Sequence, residues 1–156
     1  MKKKSFCSFY VSEYHLLTIL LPYINEQINN SKNIEVVLEN DMNECVKKYL
    51  NRCEMNNINK IIKLNWKKTK NGDIQINENT EIVVVCGKEN FIKNVNIKIV
   101  ENTNVKEIIN CFNIESLSNL EEVVRGHDFV LRTNGLCEIR KSSHNEQKRK
   151  TIQTQI

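Results

Sequence analysis

The stretch that most constrains the fold is Glu81–Asn90, which reads Glu-Ile-Val-Val-Val-Cys-Gly-Lys-Glu-Asn. Four consecutive β-branched residues, Ile82–Val85, lead directly into Cys86 and Gly87. An unbroken apolar run of strand length, without polar alternation, is typical of a strand covered on both faces, as parallel strands are in α/β proteins. The stretch therefore predicts a central parallel strand.

The segments before this strand predict alternating strands and helices. Ser12 has the chemistry of a helix N-cap, and Pro22 is expected to bend or split the helix that follows, because proline cannot donate a backbone hydrogen bond. Asp41 and Glu44 form a capping-box-like start for a second helix. The predicted elements are a strand at Ser5–Val11, a helix from Ser12, a strand at Ile34–Leu38, a helix from Asp41, a weaker strand at Ile58–Leu64 and one short edge strand around Ile74 and Ile76.

The segments after the central strand are read in the same way. Asn134-Gly135 between two apolar runs favours a type I′ turn and a β-hairpin. Ser118 and Gly126 are suited to begin and end a helix. The predicted elements are a helical turn or two at residues 88–94, a strand at Val95–Val100, a helix capped by Thr103 that carries Val105, Ile108, Ile109 and Phe112, a helix from Ser118, and the hairpin between Asp128 and Ile139.

Together these elements predict an α/β fold. The expected architecture is a three-layer sandwich with a mostly parallel sheet and a C-terminal antiparallel β-hairpin at its edge. A chain of 156 residues has room for one domain with its own core. We expect a single α/β domain over residues 1–141 and a flexible basic tail over residues 142–156.

Charge and cysteine usage bear on the compartment and on partners. The net charge of +4 arises from the chain ends, since residues 5–139 carry 15 positive against 18 negative side chains. The six cysteines show no C-x-x-C pair and no zinc-type spacing. No apolar run approaches the roughly 18 residues of a membrane span. We therefore expect a cytoplasmic protein that makes no membrane contact and has no metal site.

The parallel sheet predicts where a ligand would bind. In open α/β sheets, ligands lie outside the carboxyl ends of the strands. Ser12 and Asp41 could equally be helix caps, and Trp66 could cover the core instead of stacking on a ligand. The residues predicted to bind a ligand at this edge are Ser12, Glu13, Glu39, Asp41, Trp66, Cys86, Gly87 and Lys88.

Catalysis at this edge would depend on Cys86. A thiolate there could be stabilised by Lys88 or by a helix amino end, with His15 as the base, whereas the alternative is a buried, unreactive thiol. Cys-Gly-Lys-Glu does not match a phosphate-binding loop, because it has one glycine and a carboxylate where a hydroxyl is needed. His127-Asp128 resembles a two-residue metal dyad, but a histidine favouring a helix C-terminus explains it better. The sequence predicts no cofactor.

Residues 6–41 carry a resemblance to a known family. Three segments carry it, namely Ser-Phe-Cys-Ser-Phe-Tyr-Val-Ser-Glu-Tyr, Leu-Leu-Pro-Tyr-Ile-Asn-Glu-Gln-Ile and Asn-Ile-Glu-Val-Val-Leu-Glu-Asn-Asp. This opening resembles the bacterial sensory domain of the dichloromethane regulator, the MEDS domain. The resemblance implies a fold related to RecA-type ATPases without their phosphate loop, and a regulatory role without catalysis.

Three hypotheses for function follow. The first is a non-catalytic bacterial sensory or regulatory domain that binds a small-molecule ligand or a regulatory protein. The second is a small cysteine-dependent transferase or hydrolase that uses Cys86 and His15. The third is a nucleic-acid-associated protein that uses its basic termini. The sequence does not predict an oligomeric state.

Overall fold

The computed structural model describes residues 3–69, 74–102 and 104–139. Within them the chain forms a six-stranded sheet with helices packed around it, which confirms the predicted α/β class. The elements, in chain order, are β1 (Lys4–Tyr10), α1 (Glu13–Asn29), β2 (Ile34–Leu38), α2 (Asn43–Leu50), α3 (Ile58–Ile62), β3 (Ile82–Gly87), α4 (Glu89–Ile99), β4 (Glu107–Asn113), a 3₁₀ turn (Ile114–Ser116), α5 (Leu120–Arg125), β5 (Phe129–Arg132) and β6 (Gly135–Glu138).

The valine-rich strand lies inside the sheet, as predicted. The strand order is β2-β3-β4-β1-β5-β6, and β3 pairs in parallel with both β2 and β4. All six of its residues are buried. β1 also pairs in parallel with β4 and β5, while β6 runs antiparallel to β5 at the margin. The sheet is therefore mostly parallel with an antiparallel hairpin at one edge.

Helices cover both faces of the sheet. On one face, α1, α2 and α3 pack against side chains such as Val84 and Ile109. On the other face, α4 and α5 pack against side chains such as Val85 and Ile108. Along each of β3 and β4, successive side chains thus point into opposite cores. This burial on both sides explains the lack of polar alternation in β3.

The predicted strand at Ile58–Leu64 is wrong. Residues Ile58–Ile62 form α3, and Ile58, Ile61 and Leu64 contact the core beneath α1. Their spacing of three residues places them on one helical face. Asn57 fixes the start of this helix to α1, since its side-chain nitrogen lies 2.7 Å from Oδ1 of Asn29. The predicted edge strand at Ile74 and Ile76 is also absent, and both residues pack half-buried against the opposite core without pairing as a strand.

Two further assignments exchange helix and strand. Val95–Val100 was expected as a strand, but α4 continues through it and buries Val95 and Ile99 at helical spacing. The helix predicted from Thr103 is instead β4, which lies between β1 and β3. A strand buried on both faces needs no alternation, so its apolar residues can imitate the spacing of a helix. Thr103 itself lies outside the described residues.

The hairpin forms, but with a different turn. Arg132 pairs with Gly135, so Thr133 and Asn134 make the two-residue turn. A type I′ turn requires positive φ at both central residues. Among the described non-glycine residues, positive φ occurs at Ser31, while Gly135 has φ 114°. The left-handed position is therefore at glycine, after the turn. Pro22 does not split α1, which runs unbroken from Glu13 to Asn29.

Candidate functional site at the carboxyl ends of the strands

A cavity of about 180 Å³ lies where the four parallel strands β1 to β4 end. Each of these strands contributes a residue from its carboxyl end or the loop that follows it. Three predicted residues, Ser12, Glu13 and Cys86, line the cavity. The other lining residues are Tyr10, Val11, Leu38, Asn40, Met42 and Asn113.

Ser12 is the N-cap of α1, whereas Asp41 precedes the N-cap of α2, which is Met42 and has no side-chain cap hydrogen bond. The predicted capping box of Asp41 and Glu44 is therefore wrong. The Ser12 side chain accepts a hydrogen bond from the backbone N–H of His15 at 3.1 Å, which satisfies the first turn of α1. Oδ1 of Asp41 accepts from the backbone N–H of Asn43 at 2.9 Å, at the start of α2. Ser12 still borders the cavity, whereas Asp41 does not contribute to its lining.

Glu39, Gly87 and Lys88 form one interlocked group beside the cavity. Oε1 of Glu39 accepts a hydrogen bond from the backbone N–H of Lys88 at 2.8 Å. A Cβ atom at Gly87 would lie 2.8 Å from both Cβ and Oε1 of Glu39, and 2.9 Å from Cδ2 of Phe91. Only glycine leaves room for this approach. The carboxylate of Glu39 thus lies where an anion would bind at the amino end of α4.

The next backbone N–H of this helix also has a partner inside the chain. The N–H of Glu89 donates to Oγ of Ser116 at 3.2 Å. The Glu89 carboxylate in turn accepts from the backbone N–H of Ser118 at 3.2 Å and contacts Nζ of Lys93 at 3.0 Å. The hydrogen bond from Lys93, followed by the one from the Ser118 backbone, lowers the pKa of Glu89. These contacts tie the amino end of α4 to the loop after β4.

Cys86, which lines the cavity, lies beside a second thiol, that of Cys111, which does not line it. Cys86 of β3 and Cys111 of β4 are register partners, and both face the core beneath α1. A hydrogen bond with Cys86, together with burial, raises the pKa of Cys111 well above its usual value. Burial raises the pKa of Cys7 to about 12, with a further contribution from Cys111. Cys111 and Cys7 are therefore protonated at neutral pH.

The pKa of Tyr10 depends on the charged groups around its hydroxyl. Burial is the main cause of the raised pKa of Tyr10, and the nearby carboxylates of Glu39 and Glu13 add to it. Among the described residues, the cavity lining contains one carboxylate, that of Glu13, and no lysine or arginine. Its environment is therefore acidic to neutral.

His15 and Trp66 do not join this group. The Nδ1 atom of His15 accepts from the backbone N–H of Val11 at 3.2 Å, and its ring borders a separate cavity between the ends of β1 and β5. Trp66 is 1% exposed in the core, where Nε1 donates to the carbonyl of Ile61 at 2.8 Å. Neither side chain lines the cavity that contains Cys86.

Several lining residues were missed from the sequence, of which Tyr10, Asn40 and Asn113 carry polar groups. Asn40 follows the end of β2 and lies between Glu39 and Asp41, which were both predicted to bind a ligand. Asn113 ends β4, so it was lost when that segment was assigned to a helix. Reading residues 107–113 as a doubly buried strand would have placed Asn113 at this edge. Its Oδ1 accepts from the N–H of Glu115 at 3.1 Å.

His127 and Asp128 hold structural positions. Nδ1 of His127 lies 2.6 Å from the carbonyl of Val123, at the carboxyl end of α5, and its Nε2 lies 3.0 Å from Nδ2 of Asn110. Oδ2 of Asp128 accepts from the backbone N–H of Ser5 at 3.0 Å and so joins the hairpin to β1. Across residues 3–69, 74–102 and 104–139, no three histidine, cysteine or acidic side chains are arranged to hold a metal ion.

The chain was compared with protein-family models, with curated proteins and with solved structures, and none of the three comparisons gave a match. In the part of the chain that the structure describes, no helix combines the length and the apolar character needed to cross a membrane.

Proposed function

We propose that this protein is a non-catalytic sensory or regulatory α/β domain that binds a small ligand in the cavity at the carboxyl ends of β1–β4. The observation that carries the proposal is the cavity of about 180 Å³ whose lining comes from four strand ends. That volume equals roughly six water molecules at about 30 Å³ each, so the ligand would have only a few heavy atoms. The resemblance of residues 6–41 to the MEDS domain supports a regulatory role.

The lining indicates the charge of the ligand. Glu13 supplies one carboxylate, and Asn40 and Asn113 supply amide groups. Glu39 takes the N–H of Lys88 at the amino end of α4, which leaves that helix end unsuited to a phosphate. A small neutral or cationic molecule, such as an amine or an amide, fits this environment better than an anion.

Several contacts favour binding over catalysis. Cys86 shares a hydrogen bond with Cys111, a neighbour that is itself protonated. His15, the base named for the enzyme hypothesis, borders a different cavity. A nucleophilic thiol needs a base or a cation within reach to form its thiolate. Among the described residues, the lining around Cys86 contains no histidine, lysine or arginine, and its one carboxylate is that of Glu13.

A thermal-shift panel tests the proposal. Ethanolamine, ethylamine, acetamide and glycerol serve as neutral or cationic probes, and acetate and phosphate serve as anionic counterparts. We expect at least one neutral or cationic probe to raise the melting temperature, because a ligand that binds the native state stabilises it. The anions should give no shift.

A matched pair of variants locates the binding. Asn40→Trp places a large ring at the mouth of the cavity, whereas Asn90→Trp makes the same change on the exposed face of α4. The shift should disappear in Asn40→Trp and persist in Asn90→Trp. A panel without any stabilising probe, or a shift that survives in Asn40→Trp, contradicts the proposal.

The nucleic-acid hypothesis depends on the basic residues of both termini, of which Lys3 and Lys4 are described, while residues 1–2 and those beyond 139 lie outside the described residues. It stays a prediction. If it holds, removal of residues 141–156 should weaken binding to an oligonucleotide and flatten its dependence on salt.

A further inference from the structure

Two cavities lie along the outer edge of β2, away from the carboxyl-edge site. One measures about 580 Å³ and the other about 460 Å³. Both are lined by Ile34, Glu35 and Leu64, so they form one continuous groove. We call it the β2-edge groove. It shares no lining residue with the cavity that contains Cys86.

The floor of the β2-edge groove is an unpaired strand edge. In a parallel strand, the backbone groups of alternate residues point to opposite sides. The carbonyl of Asn33 and the N–H of Glu39 bond to β3, so the odd-numbered residues face inward. The even-numbered ones face outward, and the outward carbonyl of Leu38 accepts from the N–H of Thr69 at 2.8 Å. The backbone N–H and carbonyl groups of Ile34 and Val36, which also point away from β3, have no backbone partner among the described residues.

One wall of the groove is basic. It is formed by α3 and the residues after it, with Lys60 and Lys63 exposed on the groove side. Lys68 lies near the carboxyl end of β2, and Lys32 lies near its amino end. Lys32 pairs with Glu81 at 3.6 Å, whereas Lys60, Lys63 and Lys68 have no carboxylate within 4.0 Å in the described ranges.

The other wall combines two apolar side chains, Ile74 and Ile76, with the polar side chains of Gln75, Asn77, Asn79 and Thr80. Ile74 and Ile76 line the groove and pack, half-buried, against the core beneath α4. They lie on the opposite face of the sheet from α3, whose residues join the core beneath α1. Glu35 is the one carboxylate among the described residues of the lining, and its Oε1 accepts from the N–H of Asn77 at 2.9 Å.

We propose that the β2-edge groove binds an extended acidic segment of a partner protein, which adds to the sheet as a further strand beside β2. A strand added there would pair with the open backbone groups of Ile34 and Val36, as in other cases of strand addition. Its side chains would alternate between the two walls. Acidic residues would face Lys60 and Lys63, and apolar residues would face Ile74 and Ile76.

A synthetic peptide tests this proposal directly. The probe is a fluorescein-labelled peptide of eight residues that alternates glutamate and valine, with binding followed by fluorescence anisotropy. The Lys60→Glu, Lys63→Glu variant should bind the peptide at least about tenfold more weakly, because each reversal replaces an attraction with a repulsion. Lys60→Gln with Lys63→Gln, which only neutralises the wall, should give an intermediate loss.

A matched control uses the exposed lysines of α2. Lys47→Glu with Lys48→Glu changes the net charge equally but leaves the groove intact, so its affinity should stay within about twofold of the original protein. Asn40→Trp should also bind the peptide normally, which separates this test from that of the carboxyl-edge cavity. Equal losses in the α2 and α3 variants would overturn the proposal.

Backbone pairing is tested with N-methylated peptides. Two isomers carry methyl groups on alternate amides, in opposite phases. Since alternate amides of a strand point to opposite sides, one isomer should lose binding and the other should keep it. If both bind alike and an oligonucleotide of thymidines displaces them, the groove is a general polyanion surface and the proposal fails. A dimer that the Lys60→Glu, Lys63→Glu variant dissociates would assign the groove to a second copy of this chain and also overturn it.

Discussion

Oε1 of Glu39, at the end of β2, accepts a hydrogen bond from the backbone N–H of Lys88 at 2.8 Å, at the start of α4. This bond places a carboxylate of the protein at the amino end of a helix, where the positive end of the dipole stabilises it. Glu39→Ala should lower the free energy of unfolding by about 1 kcal/mol, the usual cost of losing a cap. Glu39→Gln keeps an acceptor oxygen and should cost less. Urea denaturation measures both, and a larger cost for the glutamine variant would contradict this role.

The close approach of Glu39 predicts that Gly87 cannot be replaced. Gly87→Ala would bring its Cβ within 2.8 Å of Glu39 and 2.9 Å of Phe91. We expect a loss of about 1–3 kcal/mol in the free energy of unfolding, as is typical of overpacking. Gly126→Ala is the matched control, because its nearest contact is 3.5 Å and its φ of −76° suits any residue. Equal stability of the two variants would contradict the close approach of Glu39 and Phe91 to Gly87.

Glu89 predicts a dependence of stability on pH. Its pKa is lowered in the folded protein from a usual value of 4.5, chiefly by Lys93 and Ser118. A lowered folded pKa stabilises the protein fully above the unfolded pKa, and this contribution disappears as the pH falls through the folded pKa. Glu89→Gln should therefore destabilise the protein at pH 7 and flatten the fall in stability below about pH 4.5. Glu101→Gln, at an exposed site, should change neither; an unaltered acid limb in Glu89→Gln would contradict the assignment.

A buried polar network joins three elements around Asn110. The amide groups of Asn110 and Asn96 bond reciprocally at 2.8 and 3.0 Å, and Nδ2 of Asn110 also lies 3.0 Å from Nε2 of His127. Asn110→Leu would leave the buried partners unsatisfied and should cost about 2 kcal/mol of unfolding free energy. Asn94→Leu, on the exposed face of α4, should cost little. Similar costs for the two variants would mean that the network does not contribute to stability.

Thiol reactivity separates the binding hypothesis from the enzyme hypothesis. Cys86 is 3% exposed and hydrogen-bonds Cys111, whereas Cys53 is only partly buried. With iodoacetamide at pH 7, we expect Cys86 to be alkylated several-fold more slowly than Cys53, because burial limits the access of the reagent to its thiol. Peptide mass spectrometry assigns the sites. A Cys86 that reacts faster than Cys53 would favour the cysteine-dependent enzyme.

The sequence predicted the fold where local signals agreed with tertiary burial. The composition of Ile82–Val85 predicts a strand buried on both faces, and the Asn134-Gly135 pair predicts a β-hairpin. Short apolar segments were assigned wrongly, because Ile58–Ile62 and Glu107–Asn113 have spacings compatible with either period. Only their packing, against α1 in one case and between two strands in the other, decides between helix and strand.

The candidate site, like the fold, could be predicted from the sequence only where local signals were sufficient. Ser12, Glu13 and Cys86 were placed at the cavity because they directly follow or end predicted strands. The burial of Trp66 depends on how α3 packs, and the partner of Glu39 depends on which strand lies beside β2. The β2-edge groove has no sequence signal, because nothing in a single strand tells which strand ends the sheet.

The most direct measurement of ligand binding is an NMR titration of ¹⁵N-labelled protein with ethanolamine. We expect chemical-shift changes concentrated at the amides around the cavity, namely Val11 to Glu13, Asn40, Cys86 and Asn113, and their loss in Asn40→Trp. Changes centred on Ile34 to Val36, or changes that persist unaltered in Asn40→Trp, would contradict the claim that the carboxyl ends of the strands form the ligand site.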